Sequence, residues 1–394
     1  MNISVVGGGG RVGLPLSIAL ADASEELNII IVDINEELVK KINKGLMPFR
    51  EDRAQEKLNR TIGKNLQATT DSSYISQSDI ILVIIGTPVD EYLNPIFSIF
   101  HEFFTNFLHY FKDGQTVILR STVYPGTSEK IQRLFKDHNL DVHVSFCPER
   151  IAEGKAMKEL YSLPQIISGF DSKALSDARK VFSYLTKDLV ELSPMEAELA
   201  KLFTNSWRYI QFATANQYFM LAESMELDFY KIYQAMTYKY PRAEGFPRAG
   251  LTAGPCLFKD TMQLSAFSGN KFFLGHSAML INEGLPDFIV RQLKKKYDLS
   301  AKTVGILGMA FKGESDDKRA SLSYKLKRIL EFEAQKVLCT DEYISDELFM
   351  PLEEVLEKSD ILIVSAPHNR YRTIKTSKIL VDVWNWVVKE EKDL

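Results

Sequence analysis

Short apolar runs alternate with helical patterns over the first part of the chain, and each run ends in glycine, proline or polar residues. A helical pattern over residues 14–21 follows the first run. Buried strands that alternate with helices predict a parallel sheet covered by helices on both faces. Such sheets bind ligands at the carboxyl ends of their strands, so the polar turns there are candidate sites. The predicted strands are residues 3–6, 27–32, 80–85, 116–119 and 142–146.

The pattern changes between residues 194 and 276, where long helices without strands are predicted. Phe203, Trp207, Ile210 and Phe212 supply more apolar surface than one exposed helix needs, which indicates an interdomain or subunit interface. A second alternating region then predicts strands at residues 302–308, 336–341, 360–364 and 379–382.

The expected fold is therefore α/β, with two Rossmann-like, doubly wound parallel-sheet domains joined by a central helical domain. The expected domains are residues 1–192, which bind a dinucleotide, residues 193–295, which are helical, and residues 296–394.

A glycine-rich turn between the first strand and the first helix has the pattern GxGxxG at Gly8, Gly10 and Gly13. Glycines at this spacing let backbone amides approach a pyrophosphate at the helix N-terminus. Asp33 lies at the end of the second strand, 20 residues after Gly13. An acid there accepts hydrogen bonds from a ribose diol and repels a 2′-phosphate, which favours NAD over NADP. The alternative is a glycine-rich turn with an unrelated acid.

Cys256 lies in a segment that predicts a reactive thiol. Pro255 suits the first position of a helix, so Cys256 would lie in the first turn, where unpaired amides and the helix dipole stabilise a thiolate. Asp260 follows four residues later and is expected on the same helix face. A nucleophile and a proton-handling group are thus predicted from one segment. The alternative is a buried structural cysteine.

Lys201, Asn205 and Arg208 follow one another at helical spacing and form a polar stripe with apolar neighbours. Such a stripe could stabilise a developing oxyanion and anchor a substrate. The alternative is a solvated helix face.

Other polar side chains follow predicted strands. Glu149 could act as a general base, and Arg150 could bind a phosphate or carboxylate. Thr122 offers a hydroxyl, although it could simply cap a helix. Lys312 and Arg319, in a later glycine turn, suit an anionic ligand, but several acids lie beside them.

The composition narrows the function classes. A net charge of −4 over 394 residues gives no reason to expect nucleic acid as a partner. Three cysteines without a CxxC pair suggest a reducing cytoplasm, and six scattered histidines make a histidine metal site unexpected. The first residues predict a strand rather than a signal peptide, and no apolar run reaches the roughly 20 residues that span a bilayer.

Seven segments together resemble the UDP-glucose/GDP-mannose dehydrogenase family, in the family's order and across the whole chain. They are GGGGRVGLPL (7–16), IIGTPVD (84–90), STVYPGT (121–127), CPERIAEG (147–154), ELAKLFTN (198–205), GPCLFKD (254–260) and GMAFKGESDDKRASLS (308–323).

This resemblance implies an NAD-dependent 6-dehydrogenase that oxidises a nucleotide sugar to the uronic acid with two NAD+ and no released aldehyde. Cys256 would capture the aldehyde as a thiohemiacetal, which becomes a thioester that water hydrolyses. Lys201 and Asn205 would stabilise the oxyanion. Asp260 and Thr122 would position or activate water, and Glu149 would act as general base or bind substrate.

The resemblance also implies the binding sites. The cofactor residues would be Gly8, Gly10, Arg11, Val12, Gly13, Asp33, Thr87, Pro88, Thr122 and Arg319. The substrate residues would be Glu149, Arg150, Ile151, Arg208, Arg242, Gly254, Lys259 and Lys312, with Arg242 resembling an arginine that some members supply from a neighbouring subunit. Residues 296–394 would bind the UDP moiety, and the central helices would form a homodimer.

The form CPER in the glutamate loop, together with Arg150 and Arg208, resembles the members that act on UDP-N-acetylhexosamines. UDP-glucose remains the alternative substrate. Residues 252–255 replace a more glycine-rich stretch of the family. Two other readings are a two-electron β-hydroxyacid or 6-phosphogluconate-type dehydrogenase and an NAD-binding protein without catalysis.

Overall fold

The computed structural model describes residues 1–87, 90, 96, 98–252 and 254–388. The chain forms two compact units, Met1–Thr204 and Asn205–Leu394. Pro88, one of the predicted cofactor residues, lies outside the described residues.

The first unit contains a six-stranded parallel sheet with the order β3-β2-β1-β4-β5-β6. Strand order reverses direction between β1 and β4, which makes this the switch point where such sheets bind ligands. The strands are β1 (Asn2–Val6), β2 (Asn28–Val32), β3 (Leu66–Thr69), β4 (Ile80–Val83), β5 (Thr116–Leu119) and β6 (His143–Phe146). A separate parallel pair consists of β7 (Gln165–Ile167) and β8 (Leu189–Glu191).

The predicted strands do not include β3, β7 and β8. In β3, only Leu66 and Ala68 are buried, and Gln67 is exposed. Because β3 has only four residues and three of them are small or polar, its alternation is too short to indicate a strand. The pair β7 and β8 has three residues in each strand.

The helices of the first unit cover the sheet, and local capping explains several of their starts. Asn35 and Asp171 accept hydrogen bonds from Leu38 and Ala174 in the first turns of their helices. The helices are α1 (Gly13–Ala23), α2 (Glu36–Asn43), α3 (Ala54–Thr61), α4 (Ser98–Phe107), α5 (Thr127–Asp137), α6 (Ala156–Ser162) and α7 (Ser172–Phe182).

A 31-residue helix, α8 (Pro194–Ser224), begins in the first unit and continues into the second. Among the described residues from 194 to 296 there is no strand, as predicted. The other helices of this region are α9 (Phe229–Thr237), α10 (Pro255–Phe267) and α11 (Phe273–Lys296).

The second unit also contains a four-stranded parallel sheet with the order β10-β9-β11-β12. Its strands are β9 (Thr303–Leu307), β10 (Lys336–Thr340), β11 (Ile361–Val364) and β12 (Ile379–Val381), and its helices are α12 (Leu322–Glu333) and α13 (Leu352–Lys358). Short 3-10 helices elsewhere span Ser72–Gln77, Leu108–Tyr110, Pro241–Ala243, Leu299–Ala301 and Asn369–Thr373.

The predicted α/β class, with two parallel sheets and a helical region between them in the chain, is confirmed. All four C-terminal strands lie within one or two residues of their predicted bounds. None of the helices in the described part of the chain is both long and apolar enough to span a membrane.

Candidate active site

The predicted glycine turn joins β1 to α1 at the carboxyl edge of the first sheet. A Cβ atom on Gly13 would lie 2.5 Å from the Cα of Gly8, so only glycine permits this close packing of turn and helix. A Cβ on Gly10 would have only one neighbour within 4 Å, the Gly7 carbonyl oxygen at 4.0 Å. The turn therefore presents open backbone at Gly10, as a pyrophosphate-binding turn requires.

Asp33 lies beside this turn, immediately after β2. Its Oδ2 accepts a hydrogen bond from the Gly9 N–H at 3.0 Å, and its Oδ1 accepts one from the Asn35 N–H at 3.0 Å. The carboxylate is thus oriented by two backbone groups at the position expected for a ribose-binding acid. The turn and the acid fit a bound NAD.

The structure also describes three other predicted cofactor residues, Val12, Arg11 and Thr87. Val12 is the residue immediately before α1. The Arg11 guanidinium lies 5.0 Å from the centre of the Phe49 ring, a cation–π distance. Thr87 is half-buried in the segment after β4.

Glu149 is buried after β6 and has Arg120 as its ion-pair partner. Its second oxygen accepts the N–H groups of Arg150 and Ile151 at 2.6 and 2.9 Å. Both carboxylate oxygens are therefore engaged. Removing one member of a buried ion pair costs about 3–5 kcal/mol, so Glu149 has a structural role in addition to any catalytic one.

Arg120 was not singled out from the sequence, yet it is among the most buried side chains. Its Nη1 donates to the Cys147 carbonyl and to Gln165 Oε1, both at 3.1 Å, and its guanidinium lies 4.8 Å from the centre of the Phe182 ring. A charged residue directly after an apolar strand was the available signal. Arg120 thereby fixes the segment that carries Glu149.

Thr122, two residues after Arg120, is half-buried and lies outside α5, whose N-cap is Gly126. The helix-capping alternative is therefore not what the structure shows. Within the described ranges its hydroxyl has no hydrogen-bond partner. The side chain of Arg150 donates to the Pro164 carbonyl.

In the second unit, α10 begins with Pro255, as predicted, and Cys256 is its second residue. The Cys256 thiol is exposed, whereas Cys147 and Cys339 are buried. Burial raises the pKa of the Cys147 thiol and raises the pKa of Cys339 to about 11. Of the three, only Cys256 combines exposure with a place in the first turn of a helix, which are the features expected of a reactive thiol.

Asp260 lies one turn after Cys256 but is fully buried, so the two side chains differ in exposure. Asn205 of α8 donates its side-chain amide to Asp260 Oδ2 at 2.5 Å. Asp260 Oδ1 lies 3.3 Å from Lys259 Nζ. The structure thus brings three predicted residues, Asn205, Lys259 and Asp260, into one buried polar cluster.

Three other predicted site residues, Lys201, Arg208 and Arg242, form no hydrogen bond or ion pair with this cluster within the described part of the chain. Lys201, in the first unit, is nine-tenths buried, and its ammonium has no hydrogen-bond or ion-pair partner among the described residues. Arg208 is exposed on α8. Arg242 is exposed and lies over its own neighbour, with its guanidinium 5.6 Å from the centre of the Tyr240 ring.

The glycine turn after β9 carries Lys312 and Arg319. Lys312 is partly buried, with its Nζ 5.5 Å from the centre of the Phe311 ring. Arg319 is exposed but forms a fork with the buried Asp317, with contacts of 3.0 and 2.6 Å. The acids that the sequence analysis noted thus include one direct partner of Arg319.

A cavity of about 590 Å³ in the second unit was not predicted. None of the predicted substrate residues lines it. It is lined by Phe212, Arg248, Pro367, Arg372 and residues 384–388, which include the indole rings of Trp384 and Trp386. Two arginines and two indole rings give the cavity both cationic and aromatic walls.

Comparison with protein-family models matches most of the chain to a single family. The NAD binding domain of the UDP-glucose/GDP-mannose dehydrogenase family matches residues 1–186, its central domain matches residues 195–283, and its UDP binding domain matches residues 305–389.

Curated relatives and solved structures agree with these matches. UDP-N-acetyl-D-mannosamine dehydrogenase of Pyrococcus horikoshii is 28% identical over 99% of this chain and 96% of the relative. The enzyme of the same name from Methanocaldococcus jannaschii is 28% identical over 94% of this chain and 86% of its own. The solved structure of UDP-D-ManNAc dehydrogenase from Pyrococcus horikoshii superposes with a TM-score of 0.90 at 28% identity, covering 99% of this chain and 96% of that one.

Proposed function

Because the chain belongs to the UDP-glucose/GDP-mannose dehydrogenase family, we propose that it oxidises the C6 hydroxymethyl group of a UDP-sugar to a carboxylate by way of a covalent cysteine intermediate. Membership establishes an NAD-dependent nucleotide-sugar dehydrogenase at the coarser level. The observation that carries the finer proposal is the exposed thiol of Cys256 in the first turn of α10.

Bound NAD+ would accept a hydride in each of the two oxidations. The Cys256 thiolate would add to the C6 aldehyde and form a thiohemiacetal, and loss of a second hydride would leave a thioester. Water would then displace the thiolate and release the carboxylate. The sum is one primary alcohol, one water and two NAD+ giving one carboxylate, two NADH and three protons.

The predicted residues suit the charges that develop during these reaction steps. Lys201 and Asn205 would donate hydrogen bonds to the oxyanion of each tetrahedral species. Asp260 would move protons to and from water, with Asn205 and Lys259 holding its carboxylate. Thr122 would position the water or the substrate. Glu149, with both oxygens engaged, would act chiefly by fixing the loop that binds the sugar.

We propose the same binding assignments as the sequence suggested. Gly8, Gly10, Gly13 and Asp33 would hold the dinucleotide, together with Arg11, Val12, Thr87, Pro88, Thr122 and Arg319. Arg150, Ile151, Arg208, Arg242, Gly254, Lys259 and Lys312 would contact the UDP-sugar. The cavity with Arg248, Arg372, Trp384 and Trp386 suits a nucleobase and a diphosphate, since indole faces stack on bases and arginines pair with phosphates.

The substrate we propose is a UDP-N-acetylhexosamine, with UDP-N-acetyl-D-mannosamine as the first compound to test. Its support is the CPER form of the glutamate loop and the names of the relatives that align over nearly the whole chain. UDP-glucose is the alternative.

We further propose a cytoplasmic homodimer with three domains, residues 1–192, 193–295 and 296–394. Eight large hydrophobic side chains in the described part of residues 193–295 are more than half exposed, which favours a subunit interface. They are Phe203, Trp207, Leu221, Met225, Tyr238, Phe273, Leu274 and Leu280. Sedimentation of the wild type against Leu280→Glu tests this assignment.

A screen of NADH formation tests the activity. UDP-N-acetyl-D-mannosamine, UDP-N-acetyl-D-glucosamine, UDP-N-acetyl-D-galactosamine, UDP-glucose and GDP-mannose would each be offered with NAD+. The proposal expects the highest kcat/KM for a UDP-N-acetylhexosamine. A preference for UDP-glucose would refute the substrate, and no NADH from any nucleotide sugar would refute the activity.

A further inference from the structure

Two asparagines form a fully buried amide pair in the second unit. Asn216 of α8 donates its Nδ2 to Asn282 Oδ1 of α11 at 2.9 Å, and Asn282 donates its own Nδ2 to the Tyr209 carbonyl at 3.2 Å. Neither side chain is exposed. Buried amides left unsatisfied are costly, so two asparagines in a helical core need a reason beyond packing.

The free acceptor of this pair points at the segment that leads to the cysteine. Asn216 Oδ1 accepts a hydrogen bond from the Gly250 N–H at 2.8 Å. Gly250 belongs to irregular backbone, and its neighbours Ala249 and Leu251 are buried. Among the described residues, Asn216 Oδ1 is therefore the only side-chain acceptor for the buried Gly250 N–H.

Trp384, in the turn after β12, also packs against Gly250. A Cβ at Gly250 would come within 2.4–2.5 Å of three atoms of the Trp384 indole, so only a glycine allows the ring this close. The indole is itself fixed, because Trp384 Nε1 donates to the Ser365 carbonyl at 3.0 Å. Arg248 adds a further tie by donating to the Asn385 carbonyl at 2.9 Å.

Gly250 precedes Cys256 by six residues, and Ala253 between them lies outside the described residues. The Thr252 N–H donates to the Gly250 carbonyl at 2.7 Å, which closes a tight turn. Gly254 is buried, has a φ of 94° and immediately precedes α10. Because only a few residues separate Gly250 from α10, we expect a shift at Gly250 to alter the first turn of that helix, where Cys256 lies.

We propose that Asn216 is a positioning residue for Cys256: together with Trp384, which packs against the Cα of Gly250, it clamps Gly250 and so fixes the start of the helix that carries the thiol. This inference rests on the proposed function, which makes Cys256 the nucleophile. Gly250 falls within the match to the central domain and Trp384 within the match to the UDP binding domain. The clamp thus ties the part that binds UDP to the segment that presents the nucleophile.

The clamp has a kinetic consequence that simple loss of stability would not produce. A displacement of about 1 Å at a reacting group can cost about 100-fold in rate. Asn216→Ala and Gly250→Ala are therefore expected to lower kcat by about 10- to 100-fold, with the KM for NAD+ changed by less than about twofold. Thr214→Ala is the matched control, because Thr214 lies on the same helix and its hydroxyl donates to the Ile210 carbonyl of that helix. The control should keep the wild-type kcat.

A double-mutant cycle separates positioning from general damage. Trp384→Leu removes the ring that a Cβ at Gly250 would strike. In that background, adding Gly250→Ala should lower kcat by less than about twofold. The effects of the two substitutions would then be coupled, as expected of residues in contact. A tenfold or larger loss that persists in the Trp384→Leu background would overturn the proposal, as would wild-type kcat in Asn216→Ala or in Gly250→Ala.

A measurement that needs no substrate tests this inference separately from the proposed function. The rate at which iodoacetamide alkylates Cys256 in the free enzyme is expected to fall by about tenfold in Asn216→Ala and in Gly250→Ala, because a frayed first turn stabilises the thiolate less. In the Trp384→Leu background, adding Gly250→Ala should leave the alkylation rate within about twofold of the rate in Trp384→Leu alone. Unchanged alkylation in all variants would refute the clamp. A wild type that makes no NADH from any nucleotide sugar would refute the function while leaving this measurement decisive for the clamp.

Discussion

The side-chain amide of Asn205 donates to the carboxylate of Asp260 across 2.5 Å, and this contact joins α8 to α10 one turn beyond Cys256. Asp260 is fully buried, and its other oxygen faces Lys259. A buried carboxylate with a fixed donor and a nearby ammonium keeps one orientation, which is what a proton-transfer group needs.

Asp260→Asn removes the proton-accepting oxygen while keeping the size of the side chain. We expect kcat to fall by about 10²- to 10⁴-fold, the usual contribution of a general acid–base group, with little change in the KM for NAD+. Steady-state kinetics at saturating NAD+ would measure this. Ser265→Ala on the same helix is the control, since its buried hydroxyl contacts His276 rather than the cluster, and a comparable loss there would point to helix damage instead.

Asp33 is expected to set the choice of dinucleotide. Asp33→Asn keeps the size of the side chain but removes the charge that binds the ribose diol and repels a 2′-phosphate. The ratio of kcat/KM for NAD+ to that for NADP+ should fall by about 10- to 100-fold, the value of a charge-assisted hydrogen bond. Glu36→Gln, an exposed residue at the start of α2, should leave the ratio unchanged. An unchanged ratio in Asp33→Asn would show that the acid does not meet the ribose.

Asp341 is expected to stabilise the folded chain in a pH-dependent way. It follows β10, as Asp33 follows β2, and accepts N–H groups from Met309 and Tyr343. The Glu314 N–H donates to Nδ1 of the buried His368, so Nε2 carries the proton that faces Asp341 at 3.2 Å. Burial alone would raise the pKa of Asp341, but these hydrogen bonds outweigh it and hold the pKa below its ordinary value.

Because the pKa of Asp341 is lower in the folded chain than in the unfolded chain, its stabilisation is complete above the unfolded value of about 3.9 and is lost as pH falls through the folded value. Asp341→Asn should lower the free energy of unfolding near neutral pH by about 2–3 kcal/mol. The difference from wild type should shrink in strongly acidic buffer. Urea unfolding at several pH values would measure it, with the exposed Glu347→Gln as control. A difference that is the same at every pH would contradict the assignment.

The three cysteines should differ sharply in reactivity. Cys339, with a pKa of about 11, carries on the order of a hundred times less thiolate at mildly alkaline pH than an ordinary cysteine, and Cys147 is fully buried. Peptide mapping after brief treatment with iodoacetamide should therefore find Cys256 modified first, and UDP-sugar should protect it. Faster modification of Cys147 or Cys339 would contradict the assignment of the nucleophile.

Local signals were sufficient to predict much of the fold. Alternating apolar runs located the central strands, and Pro255 marked the start of α10 because proline at the first helical position has its φ already set. The short strand β3 was not predicted because three of its four residues are polar or small. What could not be read locally were the tertiary pairs: Arg120 with Glu149, 29 residues apart, and Asn216 with Asn282, 66 residues apart.

The same limit applies to the site. The sequence grouped Cys256 with Asp260 by helical spacing, but spacing carries no information on depth, and the structure leaves the thiol exposed while it buries the carboxylate. Likewise the pairing of Arg319 with Asp317 is seen only in the structure. Pairings of this kind follow from three-dimensional packing and not from the order of residues.

The proposed mechanism depends most directly on a covalent link between the half-oxidised sugar and Cys256. A single-turnover reaction with excess enzyme and NAD+ and limiting UDP-N-acetyl-D-mannosamine would count NADH per sugar while intact mass spectrometry follows the protein. We predict two NADH per sugar and a transient sugar adduct on Cys256 in the wild type, with neither in Cys256→Ser and both retained in Cys339→Ala. Two NADH per sugar from Cys256→Ser would contradict the mechanism.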